Sequence, residues 1–321
     1  MKGKTGAILF AGALLVLCAV PAVAGKFTVY LLIRVMLLGI FALGYNLLLG
    51  QTGLLSFGHG AFYAAGAYGL GFCWLRLSGH PLAGIVAGVA AAALLALLVG
   101  FFCVRHTEIY FSMLTLAFGM MVFSLIWNAR EVTGGDDGLV GIMRNPVALP
   151  GLGKIPIGTD FQFYYFVLLF FALAVFVVHR IRNSPYGLVL SGIRENARRT
   201  EFAGLPVRRY RLSVFVISGA FAGLSGSLEA LLESNARPFM AHWTHSAEPI
   251  LVSLLGGIST FAGPLVGSAF FVGMREVIQR FTENWMLWFG IVLLVVIMGF
   301  RGGIVGVAEG LLKGRPSGGE G

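Results

Sequence analysis

Charge is scarce in this sequence. Asp, Glu, Lys and Arg make up only 12% of 321 residues, against roughly 25% in ordinary soluble domains. Acidic residues are the scarcer sign, 14 against 23 Lys and Arg. A soluble fold of this length cannot cover its surface with so few polar groups. Cysteine is nearly missing too. Cys18, Cys73 and Cys103 each sit in an apolar run with no C-x-x-C spacing, which excludes a disulfide scaffold and suggests neither zinc nor redox chemistry. The G-x-x-x-x-G-K-[ST] phosphate loop does not occur, so any ATP that drives this protein is hydrolysed on another polypeptide. No nucleophile–base constellation is visible, and the chain reads as something other than an enzyme.

What remains is apolar: 57% of the residues, in long runs. A helix needs about 20 apolar residues to cross the hydrocarbon. Runs of that kind fall at 7–24, 28–50, 54–75, 81–103, 107–128, 161–178, 212–232 and 284–300. Barrel strands would be about 10 residues of alternating polarity. The fold class is therefore all-α, a polytopic bundle of eight to ten membrane helices in one transmembrane domain spanning 1–321. A further apolar stretch, 247–273, is interrupted by Gly256-Gly257 and by Gly263-Pro264. It reads as a re-entrant pair of half-helices or as two short spans, since broken backbone is tolerated only where protein or a cavity lines it. The first run resembles a signal peptide, with Lys2 and Lys4 ahead of it and Ala22-Val23-Ala24 after it. An uncleaved first span is the preferred reading.

Arginine placement sets the orientation. Segment 179–211 holds eight arginines against Glu195 and Glu201, a local net of +6, and should be cytoplasmic. Segment 129–160 has three basic and four acidic residues and should face outside. Counting spans from both anchors puts both termini in the cytoplasm. Within the basic loop, Asn183-Ser184-Pro185 is a helix entry and Gly204-Leu205-Pro206 a stop. The spacing predicts a short helix over 187–203, with Leu188, Leu190, Ile193, Ala197 and Phe202 as its apolar contacts. A solvated positive loop or a headgroup-bound helix is the plainer account; a helix that docks in a partner is the sharper one. In the outer loop, the glycines of Thr133–Leu139 allow tight turns of positive φ; adjacent Asp136 and Asp137 either bind a cation or a basic partner or belong to a plain turn cluster.

The run Asn46–Phe62, NLLLGQTGLLSFGHGAF, resembles a signature of the branched-chain amino acid (Liv-type) ABC transporter permeases, M-type subunit. The Gly134–Leu139 loop, the Gly192–Gly204 stretch and Leu254–Pro264 match the same family in the same order. The resemblance implies an inner-membrane importer subunit working with a second permease, two cytoplasmic ATPases and a periplasmic solute-binding protein. It also implies membrane lipid and no nucleic acid around the chain, no cofactor on it, and ATP with Mg on the ATPase subunits. It further implies that 179–211 is the coupling loop, with Arg194, Glu195, Asn196, Ala197 and Gly204 at the contact. ABC importer permeases carry Glu-Ala-Ala with glycine six residues after the glutamate. Here the stretch is Glu195-Asn196-Ala197, with Gly204 nine residues on.

Small residues between spans mark the expected path. Glycine permits close approach or unwinding, and broken helices turn polar backbone toward a substrate. The polar members of the first broken run are Gln51, Ser56 and His59, set among Gly53 and Gly58; Gly256 and Gly257 mark the second. His59 either titrates beside a substrate carboxylate or simply bridges helices. Glu248, in the second run, is a functional candidate because membrane carboxylates are costly, with Arg237 or Arg275 as its neutralising partner. Arg34 lies within its span and should snorkel outward. His242, His245 and Glu248 make a poor metal line. The transported solute is a branched-chain or related amino acid; a urea, amide or sugar permease and an independent secondary transporter are the alternatives.

Overall fold

The computed structural model describes residues 12, 16–22, 24–77, 79–106, 108–149, 153–299 and 302–306. Its principal helices are α1 (Lys26–Thr52), α2 (His59–Arg76), α3 (Pro81–Cys103), α4 (Glu108–Asn128), α5 (Asp160–Arg182), α6 (Pro185–Phe202), α7 (Val207–Glu233), α8 (Trp243–Gly256), α9 (Gly263–Phe281) and α10 (Trp285–Gly299). Among the described residues, five stretches are long and apolar enough to cross a membrane: α1, α3, Ile109–Asn128 of α4, α5 and α7. The all-α, multi-pass reading holds. The expected span 7–24 lies largely outside the described residues, as do Lys2, Lys4, Arg301, Lys313 and Arg315.

Helix ends follow local chemistry. Gly53 closes α1 at φ 74°, its N–H on the Leu49 carbonyl, a left-handed cap that glycine adopts without a Cβ clash. Thr159 and Gln162 form a reciprocal capping box that starts α5, a signal missed when the span was placed at 161–178. The run 54–75 was expected to be one span. Its first residues are not helical, and α2 begins only at His59.

The centre is built by α1, α2, α3 and α7, with α2 against both α3 and α7. Contact there is backbone to backbone: a Cβ on Gly66 would collide with Gly223, and one on Gly226 with the Tyr63 carbonyl. In a membrane, helices associate through such small-residue packing because lipid leaves no hydrophobic drive between them. The opposite faces are apolar and exposed, as at Leu94 of α3 and Leu125 of α4, 67% and 62% exposed.

Two small strand pairs were not foreseen. Strand β1 (Leu139–Val140) pairs antiparallel with β4 (Asn235–Ala236), Leu139 opposite Ala236. Strand β2 (Val147–Leu149) pairs with β3 (Gly153–Ile155). Arg144 ties this loop down, bonding Asp160 at 2.7 Å and the Leu231 and Leu232 carbonyls at the end of α7. Gly134, Gly135 and Gly138 all have positive φ, as the turn reading required.

Stretch 247–273 folds into two helices, α8 and α9, packed against each other. His245 faces Phe41 and the Ile258 carbonyl faces Gly50, so α8 runs parallel to α1. Ser268 faces Gly39 and Arg280 stacks over Phe27, so α9 returns antiparallel. At 1.5 Å per residue α8 is about 21 Å long, short of the bilayer core.

Candidate transport path and coupling surface

The break after α1 is sealed rather than open. Tyr45 accepts the Ser56 N–H and donates to the Ser56 carbonyl, both at 2.9 Å. Ser112 Oγ donates to the Leu55 carbonyl at 2.7 Å, and the Phe57 N–H reaches Thr115 Oγ1 at 3.2 Å. Side chains thus satisfy the backbone that the break frees. His59 is fully buried, its Nδ1 2.9 Å from Ser56 Oγ and its Nε2 2.8 Å from Ser218 Oγ. Tyr45, Phe62 and Phe215 surround its ring edge-to-face. The geometry is that of the plainer account, a histidine bridging helices α2 and α7. A Cβ on Gly58 would strike the Thr115 carbonyl.

Two broken helices meet at their N-termini. The Gly60 N–H at the start of α2 donates to Ser246 Oγ at the start of α8, 2.7 Å. One turn on, Tyr63 and His245 stack edge-to-face at 4.5 Å. From here polar groups of five helices come together. Glu248 accepts from His245 at 3.1 Å and stands 3.8 Å from Arg275 of α9. Tyr63 donates to Glu229 of α7, which stands 3.9 Å from Arg34 of α1. Of the two partners expected for Glu248, Arg275 is the one present; Arg237 pairs with Glu233 instead. Arg34 does not simply reach for the surface, since it faces Glu229. Among the described residues no group of His, Cys, Asp and Glu is placed to hold a metal. Gly256 and Gly257 lie at the other end of α8, where Gly256 touches the Gly263 backbone and Gly257, at φ 112°, faces Gly302.

Helix α6 matches the expected loop helix with two differences. It starts at Pro185, capped by Ser184. It is also two helices, because Asn196 is extended (φ −157°, ψ 99°) and its Oδ1 accepts the Arg199 N–H at 2.9 Å. The Glu195-Asn196-Ala197 stretch is therefore a hinge with its own N-cap. Gly204 has φ 83°; its N–H reaches the Glu201 carbonyl and the Leu205 N–H the Thr200 carbonyl, a Schellman stop. Leu190 and Ile193 are buried as expected. Leu188 and Phe202 are not: they are 75% and 91% exposed. Intramolecular packing takes only one side of the helix.

That helix is fastened to the first broken run. Arg194 donates to the Gly50 carbonyl at 2.5 Å and Ser191 to Gln51 Oε1 at 3.1 Å. Tyr186 bonds Ser213 at 2.6 Å, and burial pushes its phenol pKa up. Gln51, Arg182, Ser184 and Ser191 line an open hollow of about 560 Å³ beside the joint. Gln51 and Gly53 thus belong with Arg194, at the α6 end, whereas Glu248 lies toward the other end. Sequence reasoning separated these groups into path and coupling surface but did not see that Gln51 joins them. It also missed Glu229 and Tyr63 as partners of the membrane charges. Glu229, one turn inside the end of a long apolar span, was the available signal.

The chain belongs to the family described as branched-chain amino acid transport system / permease component, whose model matches residues 7–300. It is 32% identical to the high-affinity branched-chain amino acid transport system permease protein LivM of Escherichia coli (strain K12) over 333 residues, 95% of this chain and 76% of that protein. LivH of Salmonella typhimurium is 23% identical over 75% of this chain and 80% of its own length. A guanosine ABC transporter permease, NupP of Bacillus subtilis, is 29% identical over 36% of this chain and 34% of its own. No solved structure matches.

Proposed function

We propose that this chain is one of two permease subunits of an ATP-driven importer of branched-chain or related amino acids. The observation that carries this reading is α6. It is an arginine-rich helix pair with Leu188 and Phe202 exposed, fastened through Arg194 and Ser191 to the end of α1. A partner that grips α6 would move α1 with it, which is the rigid two-position element that coupling requires. ATP and Mg belong on two separate ATPase subunits, because the chain has no phosphate loop. The LivM and LivH relatives support a heterodimeric permease, and a periplasmic binding protein would deliver the solute. The arginine bias supports an inner-membrane orientation with α6 and both termini in the cytoplasm.

The test is uptake and topology together. Co-expressed with the neighbouring ATPase, permease and binding-protein genes, the chain should support ATP-dependent leucine uptake into vesicles. Cysteines placed at Ser191 and Asp137 should react with an impermeant thiol reagent from opposite sides. Labelling of both from one side overturns the orientation. Uptake of guanosine or urea in place of any amino acid overturns the substrate.

A further inference from the structure

We infer that the hollow where α1, α5 and α6 meet is a regulatory site for a small carboxylate, filled from the α6 side, whose occupancy restrains the coupling helix. The regulatory part rests on the importer reading above; the site itself stands on its geometry.

Shape comes first. The hollow holds about 560 Å³ and is lined by Gln51 of α1, Arg182 of α5, and Ser184, Leu188 and Ser191 at α6. Small-molecule sites hold roughly 300–1,000 Å³. Beneath it a slot of about 10 Å³ runs between Asn46, Leu47, Val178 and Phe261, and Gln51 and Arg182 line both spaces. That is room for at most one water. Asn46 is only 7% exposed, and its Oδ1 has no hydrogen-bond partner among the described residues, an acceptor that one water in the slot would satisfy. The slot hydrates the floor of the hollow but passes no solute. A pocket that opens at the coupling helix and ends blindly serves binding rather than passage.

Chemistry comes second. Among the described residues Arg182 is the one charged side chain in either lining. Its Nη2 donates to the Ser259 carbonyl at 2.6 Å, which pins the guanidinium; its other N–H groups make no hydrogen bond or ion pair among the described residues. A Cβ on Gly187 would strike the Arg182 carbonyl. Glycine thus lets the first turn of α6 close on the end of α5, and the positive end of α6 borders the same hollow. Ser191 holds Gln51 Oε1 at 3.1 Å, leaving the Gln51 amide N–H groups as donors. Donors and one positive charge, with no carboxylate in either lining, select an anion. A single cation matches a monovalent carboxylate rather than a phosphate dianion, and the planar guanidinium suits two carboxylate oxygens. Pro185 and Leu188 add an apolar wall that fits a short aliphatic tail.

Consequence comes third. Ser191 and Arg194 fasten α6 to the end of α1, while Arg182 is fastened to the α8–α9 connection through Ser259. A carboxylate shared by Arg182, Gln51 and the start of α6 ties the moving joint to that connection. A ligand that fits one arrangement of a two-state element holds it there by its differential affinity. Leucine accumulated on the α6 side thus slows its own import.

The experiment uses the assembled transporter in lipid nanodiscs, where both faces meet solvent. Cys18 is replaced by serine; Cys73 and Cys103 are buried. Asn183→Cys, at the hollow, should react with a hydrophilic thiol reagent at least threefold more slowly in millimolar leucine or 4-methylpentanoate. Leucinol, which lacks the carboxylate, should not slow it. Arg209→Cys, exposed on α7, should show no protection. Adding Arg182→Gln should abolish protection at 183. 4-Methylpentanoate should also lower ATP hydrolysis at least threefold against the same protein without it, and Arg182→Gln should remove that response. No protection at 183, equal protection by leucinol, or protection that survives Arg182→Gln overturns the carboxylate site. If Arg182→Gln does not reach the membrane, the comparison of leucine with leucinol, made with Arg182 intact, decides alone. Protection without a change in hydrolysis overturns the regulation. If no amino acid is imported while 183 is protected, the importer reading and the feedback fall and the carboxylate site stands.

Discussion

At the α6 end, Arg180, Arg194, Arg198, Arg199, Arg208 and Arg209 are exposed and only Glu195 and Glu201 oppose the loop's charge. At the other end, Arg34, Arg237 and Arg275 each stand within 4 Å of a glutamate. The first pattern leaves charge for water, headgroups or a partner. The second neutralises charge where solvation is poor. Between them runs the glycine-tight packing of α2, α3 and α7; close packing of this kind leaves little slack between the two ends. Breaking that middle should have the largest effect. Gly226→Leu drives a side chain into the Tyr63 backbone, and overpacking of this kind costs about 1–3 kcal/mol or more. The protein should fail to accumulate in membranes, read by immunoblot. Normal levels would mean that the two ends are not joined by rigid contact.

Next in size is the surface at the α6 end. Phe202→Asp puts a charge on a side chain that is 91% exposed. Fold and membrane level should be unchanged, while ATPase co-purification and leucine-stimulated ATP hydrolysis fall about tenfold, or roughly 1.4 kcal/mol of binding. Glu195→Lys should act in the same direction. Arg208→Lys with Arg209→Lys keeps the charge and should leave both readouts intact. Equal behaviour of all these variants would reduce the loop to a topology signal.

A smaller effect is expected at the stop of α6. Gly204 sits at φ 83° with nothing near its Cβ position. Gly204→Val therefore meets no neighbour, only backbone strain of about 1–2 kcal/mol. ATPase binding should weaken severalfold, and Gly204→Asn, which tolerates this conformation better, should recover most of it.

The long spans were legible because periodicity is unnecessary when a helix is apolar all round; α1, α3, α4, α5 and α7 all follow from run length. The loop helix was legible through Ser184-Pro185 and Gly204, whose caps have local causes. The late start of α2 was not. Residues 54–58 are as apolar as a helix, and what holds them out of one is Tyr45, Ser112 and Thr115 from other elements. The role of His59 was open for the same reason, since Ser218 lies 159 residues away. The charge cluster was half legible: Glu248 stood out as a costly residue, Arg34 as a snorkelling one, and Arg275 as one of two partners for Glu248. Their grouping with Glu229, Tyr63 and His245 depends on helices α7, α8 and α9 folding back against α1.

The smallest expected effect is at Asn196, and it bears on how α6 transmits force. The family pattern places glutamate and alanine around this position, and the chain has Glu195-Asn196-Ala197. Asn196 is where α6 breaks, with Oδ1 accepting the Arg199 N–H at 2.9 Å and its carbonyl accepting from Thr200 Oγ1 at 3.1 Å. The side chain caps the second half, and loss of an N-cap costs about 1 kcal/mol. Alanine also favours helix where asparagine does not. Asn196→Ala should straighten α6 and swing Phe202 away from its present direction relative to Arg194, which stays tied to Gly50. ATPase co-purification should fall by less than in Phe202→Asp. Asn196→Asp keeps the capping oxygen and should behave as wild type. Helicity alone, raised by alanine, would instead strengthen binding. Tighter ATPase binding in Asn196→Ala would show that the partner grips one straight helix and that the break is not part of the coupling surface.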